Sequence, residues 1–80
     1  MKILVMADAI IVCSGADNGK VIRLNVGARF CVGRAESADV SFPHDLSMSS
    51  KHFQIECFAE RLLLKDLQST NGTYLNGELT

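Results

Sequence analysis

Short apolar stretches, each ended by turn-forming residues, recur along the whole of this 80-residue chain. The clearest covers residues 51–58, where Phe53, Ile55 and Cys57 alternate with polar residues. A period of two residues is typical of a β-strand that has one buried face and one face in solvent. We therefore predict a strand here.

Six other stretches have the composition of strands and are bounded by residues that favour turns. They are residues 3–13, 20–24, 29–34, 39–42, 61–67 and 73–75. Residues 3–13 are predicted to form one continuous strand, and no stretch of ten residues has a helical period. Many short strands with frequent turns predict an all-β fold, an antiparallel sandwich or barrel.

Two Asn-Gly pairs, Asn71-Gly72 and Asn76-Gly77, lie five residues apart. Asn-Gly favours tight turns because both residues tolerate a positive φ angle. The loop before the first pair, residues 69–71, presents two hydroxyls and a carboxamide in a row. This pattern fits a recognition loop, and it fits a plain hairpin equally well.

Length, charge and hydropathy restrict the class of protein. Eighty residues with a 48% hydrophobic share indicate one globular domain, residues 1–80. The net charge of −1 supplies no basic excess for a nucleic-acid backbone, so nucleic acid is not an expected partner. The apolar run after Lys2 is too short for a signal peptide, and no stretch is long enough to cross a membrane. We expect a cytoplasmic protein with no membrane partner.

The three cysteines, Cys13, Cys31 and Cys57, are scattered and odd in number. They form neither a disulfide framework nor a metal-ligand cluster. We expect reduced thiols that pack as small apolar groups, and no metal or cofactor.

Three predicted loops at strand ends carry unusual polar content: Gly33-Arg34, residues 47–50 and residues 69–71. Loops at one end of a sandwich can converge on one patch. An arginine, several hydroxyls and an amide together suit a dianionic phosphate, because each offers hydrogen-bond donors to its oxygens. The alternative is a solvated Arg34 beside serines and an asparagine that only form turns.

Ser49, His52 and Asp66 are the residue types of a hydrolytic triad. However, the predicted loop–strand junction has no strand–turn–helix elbow for the nucleophile and no evident oxyanion hole. A sandwich of this size also leaves little room for an enclosed substrate cavity. We therefore predict that the protein is not an enzyme, and interpret His52 as a buried histidine that ties neighbouring loops together.

Three fragments, taken in order, resemble the forkhead-associated (FHA) phosphothreonine-binding domain. They are Gly33-Arg34 followed by Asp39-Val40, then residues 45–53, and then residues 66–77, which match almost residue for residue. The resemblance extends from about Val12 to Gly77. It implies a β-sandwich of two twisted sheets of the FHA/SMAD type and a module that recognises phosphothreonine.

Carried over by position, the resemblance implies a role for each binding residue. Arg34 and Ser49 are expected to bind the phosphate directly, and Ser50 to add its backbone amide and its hydroxyl. Thr70 is expected to contact the phosphate or the pocket for the threonine methyl group, and Asn71 the peptide main chain. Ser47 and the neighbouring loop positions are expected to influence which residue is read a few places after the phosphothreonine.

The same resemblance implies that five residues support these loops. His52 is expected to brace them, and the others to serve loop geometry: Gly33, Gly72, Asn76 and Gly77. The expected partner is a phosphothreonine-containing protein in Ser/Thr kinase signalling. The alternative is a phosphate-independent interaction or assembly module with the same fold.

Members of this family usually continue past the second Asn-Gly with strands that close the sandwich against the N-terminal strand. This chain ends at Thr80. We therefore expect a C-terminally incomplete domain whose N-terminal strand has an exposed apolar edge. Such an edge would favour dimer formation or strand exchange.

Overall fold

The computed structural model describes residues 1–6 and 8–80, with the side chain of Met6 excluded. Its described residues form nine β-strands and no helix. The strands are β1 (Lys2–Met6), β2 (Ala9–Val12), β3 (Val21–Arg23), β4 (Arg29–Gly33), β5 (Val40–Ser41), β6 (Phe53–Cys57), β7 (Leu62–Asp66), β8 (Tyr74–Leu75) and β9 (Glu78–Leu79). None of the described segments is a helix that could span a membrane.

The strands form two sheets that face each other across one core. One sheet has the order β3-β2-β1-β8-β9 and the other the order β5-β4-β6-β7. The predicted all-β sandwich is confirmed. The sheets are mixed and not purely antiparallel, because β1 pairs with β8 and β4 with β5 in parallel. Alternation along a strand records which face is buried but not the direction of its neighbour, so the sequence pattern could not show this.

The core lies between the inner faces of the two sheets. Strand β6 alternates buried and half-buried residues along its length, as its sequence predicts. Its Phe53 and Ile55 are fully buried and pack with residues from both sheets. The largest other members of the core are Ile3, Ile10, Val12, Val32, Phe42 and Met48.

The prediction of one continuous strand over residues 3–13 is wrong. This segment forms the antiparallel strands β1 and β2, paired from Ile3 with Val12 to Met6 with Ala9. Asp8, the one charged residue of the segment, is exposed where the chain reverses. Its Oδ1 lies 3.7 Å from Nη1 of Arg23. Two short strands place Ile3, Ile10 and Val12 in one core. One long strand would place Ile3 on the face opposite to Ile10 and Val12. Ala7 lies outside the described residues.

The expected exposed edge of the N-terminal strand is not observed. Strand β1 lies in the middle of its sheet, between β2 and β8, and the edge strands are β3 and β9. The hairpin of β8 and β9 takes the position beside β1. Dimer formation or strand exchange stays a prediction, and β1 would not be the strand that mediates it.

The second Asn-Gly pair forms the predicted tight turn. Asn76 has a φ of 50° and Gly77 a φ of 87°, in a two-residue loop between Leu75 and Glu78, which pair across the hairpin. Positive φ at both central residues matches the twist of the flanking strands. In the first pair only Gly72 has positive φ, at 78°, because this loop is shaped by longer-range contacts.

The three cysteines are free thiols. Cys57 is buried in the core, as expected, whereas Cys13 and Cys31 are only half-buried. Both lie on strands or strand ends whose outer faces meet solvent.

Candidate functional site

Three loops meet at one end of the sandwich, and the five predicted binding residues lie on them. We call them the arginine loop (residues 34–39), the serine loop (residues 43–52) and the asparagine loop (residues 67–73). The backbone N–H of Arg34 donates to the carbonyl of Ser49 at 3.0 Å. The N–H of Thr70 donates to Ser49 Oγ at 3.0 Å, and Asn71 Nδ2 to the carbonyl of Ser47 at 2.8 Å. The structure therefore brings the predicted residues into one connected cluster.

Gly33 allows the end of β4 to lie directly against the serine loop. A Cβ at this position would overlap the backbone carbonyl of Ser50 and come within 3.0 Å of Lys51 Cα. Because both obstacles are backbone atoms, they could give way only by moving the loop. Glycine here sets the distance between Arg34 and the two serines.

Arg34 is exposed, but one nitrogen of its guanidinium is held by a hydrogen bond within the protein. Its Nε donates to the carbonyl of Met48 at 3.1 Å, and Met48 is buried. Within the described chain, its two terminal Nη groups have no hydrogen-bond partner and no acidic partner. A planar pair of donors is thus held at the surface, ready for two oxygens of an anion.

Ser49, Ser50 and Thr70 add hydroxyl groups to the same cluster, since backbone hydrogen bonds join Arg34 to Ser49 and Thr70 to Ser49 Oγ. Ser49 Oγ accepts the Thr70 amide, which leaves its hydroxyl hydrogen free to donate elsewhere. Neither the amide and hydroxyl of Ser50 nor the hydroxyl of Thr70 donates a hydrogen bond to any described residue. The cluster therefore presents several unused donors, and none of them is bonded to a carboxylate of the described residues.

The carboxamide of Asn71 is held through its nitrogen only, among the described residues. Its Nδ2 donates to Ser47 across 24 residues of sequence, while its carboxamide oxygen accepts no hydrogen bond from the described residues. Asn71 as a residue is exposed. Its carboxamide oxygen can accept the N–H of a main chain that lies over the cluster.

His52 lies beneath the cluster and is fully buried. The N–H of Ser49 donates to its Nδ1 at 3.0 Å, so Nδ1 is an acceptor and the proton is on Nε2. Nε2 then donates to the carbonyl of Gly72 at 2.8 Å. One imidazole thus links the serine loop to the asparagine loop. Its ring packs edge-on against the ring of Phe53, with 6.2 Å between the two ring centroids.

The three residues of the considered triad do not form a relay. Both ring nitrogens of His52 bond to backbone groups, so neither is available to activate the Ser49 hydroxyl. The carboxylate of Asp66 binds Ser69 and Thr73 instead. The described residues also contain no cluster of His, Cys, Asp or Glu suited to a metal ion.

Asp66 anchors the asparagine loop, a role that the sequence interpretation missed. Its oxygens accept the Ser69 N–H at 3.0 Å, the Ser69 hydroxyl at 2.6 Å and the Thr73 hydroxyl at 2.7 Å. Burial would raise the pKa of Asp66, but these hydrogen bonds outweigh it and hold the pKa below its ordinary value. The Asp-x-x-Ser spacing at the end of a strand was a signal for this turn.

Asp45 anchors the serine loop in the same way and was also missed. It is buried, and its Oδ1 accepts both the N–H of Ser47 at 3.1 Å and the Ser47 hydroxyl at 2.6 Å. The β2–β3 loop covers it, since a Cβ on Gly15 would overlap its carboxylate. The Ser47 hydroxyl therefore points into the loop, and the influence of Ser47 on the residue read after the phosphothreonine stays a prediction.

Replacing Thr73 with valine is expected to destabilise the protein by about 1–2 kcal/mol at pH 7, because a buried hydrogen bond to an ionised carboxylate is lost. The folded-state pKa of Asp66 is lowered, so its ionised form stabilises the fold above about pH 4. That contribution is lost as the pH falls through the folded-state pKa.

Urea unfolding of both proteins at pH 7 and at pH 3 measures this effect. The difference between them should shrink at the lower pH. Thr80→Val, at an exposed position, provides the control for the same change in side chain. An equal difference at both pH values would contradict the assigned role of the Asp66 charge.

Comparison with known proteins places the chain in a family. A family model described as the FHA domain matches residues 30–80, which is more than half of the chain and includes the whole loop cluster. A solved structure from work described as "Structural and functional analysis of phosphothreonine-dependent FHA domain interactions" matches with a TM-score of 0.66 and 32% identity. The match covers 81% of this chain and 66% of that one, so this chain spans slightly less than two thirds of its relative's length.

A search of curated proteins gave no significant match. Taken with the sandwich and the loop cluster, the family match shows that this chain belongs to the FHA domain family.

Proposed function

We propose that the protein binds phosphothreonine in partner proteins through Arg34, Ser49, Ser50, Thr70 and Asn71. The observation that supports this most strongly is the set of unused donors around Arg34. Two Nη groups, three hydroxyls and the Ser50 amide are presented at one end of the sandwich without an internal acceptor. A phosphate group carries about −1.5 to −2 charges and three acceptor oxygens, which matches this set.

The charge for this interaction has to come from the loop cluster itself. The chain has a net charge of −1, so it exerts no general attraction on anions. Arg34 is the cation that Gly33 and Met48 hold in position, and guanidinium–phosphate pairs are among the strongest hydrogen-bonded contacts. Phosphate recognition therefore depends on geometry at one arginine.

The peptide main chain is the second element of the proposed ligand. Asn71 has its amide nitrogen fixed by Ser47, and its free oxygen is available to a backbone N–H of the peptide. Thr70 lies beside Ser49, where its side chain would contact the phosphate or the methyl group of the threonine. A phosphothreonine ligand implies a Ser/Thr kinase upstream, so we propose a role in kinase signalling. We also propose that the module lies in the cytoplasm and has no catalytic activity of its own.

The test is calorimetric titration of the protein with a phosphothreonine peptide library and with unphosphorylated peptides of the same sequences. We expect binding of selected phosphorylated peptides with Kd values in the micromolar range, about −8 kcal/mol, and at least tenfold weaker binding without the phosphate. Equal affinity for the two forms would overturn the proposal.

A second candidate is a phosphate-independent interaction module. It is favoured by an apolar row on the outer face of the five-stranded sheet, where Leu4 pairs with Ile11 and Ile11 with Val21. Leu4 is 41% and Val21 51% exposed, which is unusual for a sheet face in water. On this reading, partner binding would be indifferent to phosphate and to replacement of Arg34.

A further inference from the structure

Four of the described strands form the edges of the two sheets, and one of these strands is longer than the others. The edge strands β3, β5 and β9 have three, two and two residues, whereas β7 has five, Leu62–Asp66. An edge strand carries a row of unpaired N–H and C=O groups, and proteins commonly protect it by keeping it short or by adding charge or proline. β7 instead begins with three leucines. Of the four edges, it is the one best suited to pair with a further strand.

Alternate residues of β7 have free backbone groups. The N–H of Leu67 donates to the carbonyl of His52 at 2.9 Å, and the N–H of Phe58 donates to the carbonyl of Arg61 at 2.8 Å. Because hydrogen-bonded pairs alternate along antiparallel strands, the odd-numbered residues of β7 bond to β6, and the even-numbered residues direct their N–H and C=O groups away from it. Among the described strands, only β6 pairs with β7. The residues with free backbone groups are therefore Leu62, Leu64 and Asp66.

The leucine side chains of this edge are incompletely covered. Leu62 and Leu64 pack against the core, yet both are only partly buried. Leu63 lies on the outer face of the sheet and is 46% exposed. A strand that paired with β7 would cover this apolar surface together with the free backbone groups.

β7 is complementary to a second copy of itself in one antiparallel register. Two strands related by a two-fold axis can pair about Leu64, so that it lies opposite the partner's Leu64. In this register Leu62 lies opposite the partner's Asp66, and Leu63 lies opposite the partner's Lys65. The residues with free backbone groups then face one another, and they can form about six hydrogen bonds between the two copies.

Charge favours this register over its neighbours. Pairing about Leu63 would place Arg61 opposite the partner's Lys65, and pairing about Lys65 would place that residue opposite the partner's Lys65. Like charges directly opposite each other destabilise a strand pair. Pairing about Leu64 brings no like charges opposite each other over residues 61–67.

We propose that β7 is a homodimerisation edge, at which two copies of this chain pair in antiparallel orientation about Leu64 and join their four-stranded sheets. This inference is independent of phosphothreonine binding. The asparagine loop follows the Asp66 end of β7, so antiparallel pairing places the two loop clusters at opposite ends of the paired strands. Each copy keeps its own peptide site.

Analytical ultracentrifugation over a dilution series tests the proposal on the wild type, Leu63→Lys and Leu4→Lys. We expect the wild type to dimerise with a Kd of about 10–100 µM. Leu63→Lys places a lysine opposite the partner's Lys65 at two symmetric positions, so it should weaken the dimer at least about tenfold. Leu4→Lys is the matched control, because Leu4 is 41% exposed on the other sheet, and it should leave the Kd unchanged. Urea unfolding checks that each variant is folded.

The double variant Leu63→Lys/Lys65→Glu tests the register. Each introduced lysine then faces an introduced glutamate of the partner, so the Kd should return to within about threefold of the wild-type value. Hydrogen exchange provides a second measurement: the N–H groups of Leu62 and Leu64 should exchange more slowly in concentrated than in dilute wild-type protein. The N–H groups of β3, another edge strand, should show no such dependence.

Three results would overturn the proposal. The first is a wild-type protein that stays monomeric up to about 1 mM. The second is an equal Kd for the wild type and Leu63→Lys, or a loss of the dimer only in Leu4→Lys, which would assign the interface to the apolar outer face of the five-stranded sheet. The third is a double variant that is folded but dimerises no better than Leu63→Lys, which would exclude pairing about Leu64.

Discussion

Replacing Arg34 with alanine is expected to weaken binding of a phosphothreonine peptide about 100-fold, while the protein remains folded. The two Nη groups of Arg34 have no partner within the described chain, so the substitution removes donors that only a ligand would use. Each charge-assisted hydrogen bond is worth about 1.5–3 kcal/mol, and two bonds at the lower end of that range correspond to the expected loss. The side chain is exposed, and its one internal hydrogen bond reaches Met48, so the change in unfolding free energy should stay below about 1 kcal/mol.

Titration calorimetry with one phosphorylated peptide measures the loss, and urea unfolding checks the fold. Arg29→Ala is the matched control, because Arg29 is an exposed arginine at the opposite end of the same strand. It removes the same charge and should leave affinity within about twofold. Equal loss in both variants would mean that overall charge, and not the geometry at Arg34, governs binding. No loss in Arg34→Ala would favour the phosphate-independent module.

Replacing His52 with alanine is expected to lower the free energy of unfolding by about 2–4 kcal/mol. The side chain is fully buried, so its removal leaves a cavity beside Phe53. It also leaves the Ser49 N–H and the Gly72 carbonyl without their partner. A domain of 80 residues has a total stability of about 4–12 kcal/mol, so this loss is a large share of it.

Urea unfolding at neutral pH measures this effect, and peptide titration adds a second measurement. Because His52 joins the serine loop to the asparagine loop, we expect affinity to fall as well, although His52 contacts no ligand. His44→Ala is the control: His44 is exposed on the same loop and should change stability by less than about 0.5 kcal/mol. If the two variants were equally stable, the role of His52 as a brace would be wrong.

Strand positions were well predicted wherever the sequence pattern had one interpretation. Residues 51–58 alternate strictly, and the structure contains β6 at Phe53–Cys57 with the predicted face buried. Residues 3–13 are apolar except at Asp8, and a single charged residue does not by itself predict the chain reversal there. A continuous apolar run is compatible with one long strand and with a hairpin, and pairing with β3 and β8 decides between them.

The candidate site was predicted at the level of residue types and loops. Gly33-Arg34, the serines and Asn71 were identified because their order and spacing resemble those of the FHA family. Asp45 and Asp66 were not identified as loop anchors. Each acts through hydrogen bonds to nearby Ser or Thr residues, and such bonds form only when the loop backbone is already folded.

The residue pattern predicts an all-β sandwich or barrel with polar loops at strand ends, and the resemblance to the FHA family selects the sandwich. Which groups in those loops are free and which are already bonded depends on the tertiary structure. Ser47 and Ser49 have the same side chain, yet the hydroxyl of Ser47 donates to Asp45 while that of Ser49 keeps its hydrogen available. The physical reason is that a donor is available to a ligand only if no internal acceptor lies within about 3 Å, a distance set by contacts between residues far apart in the chain.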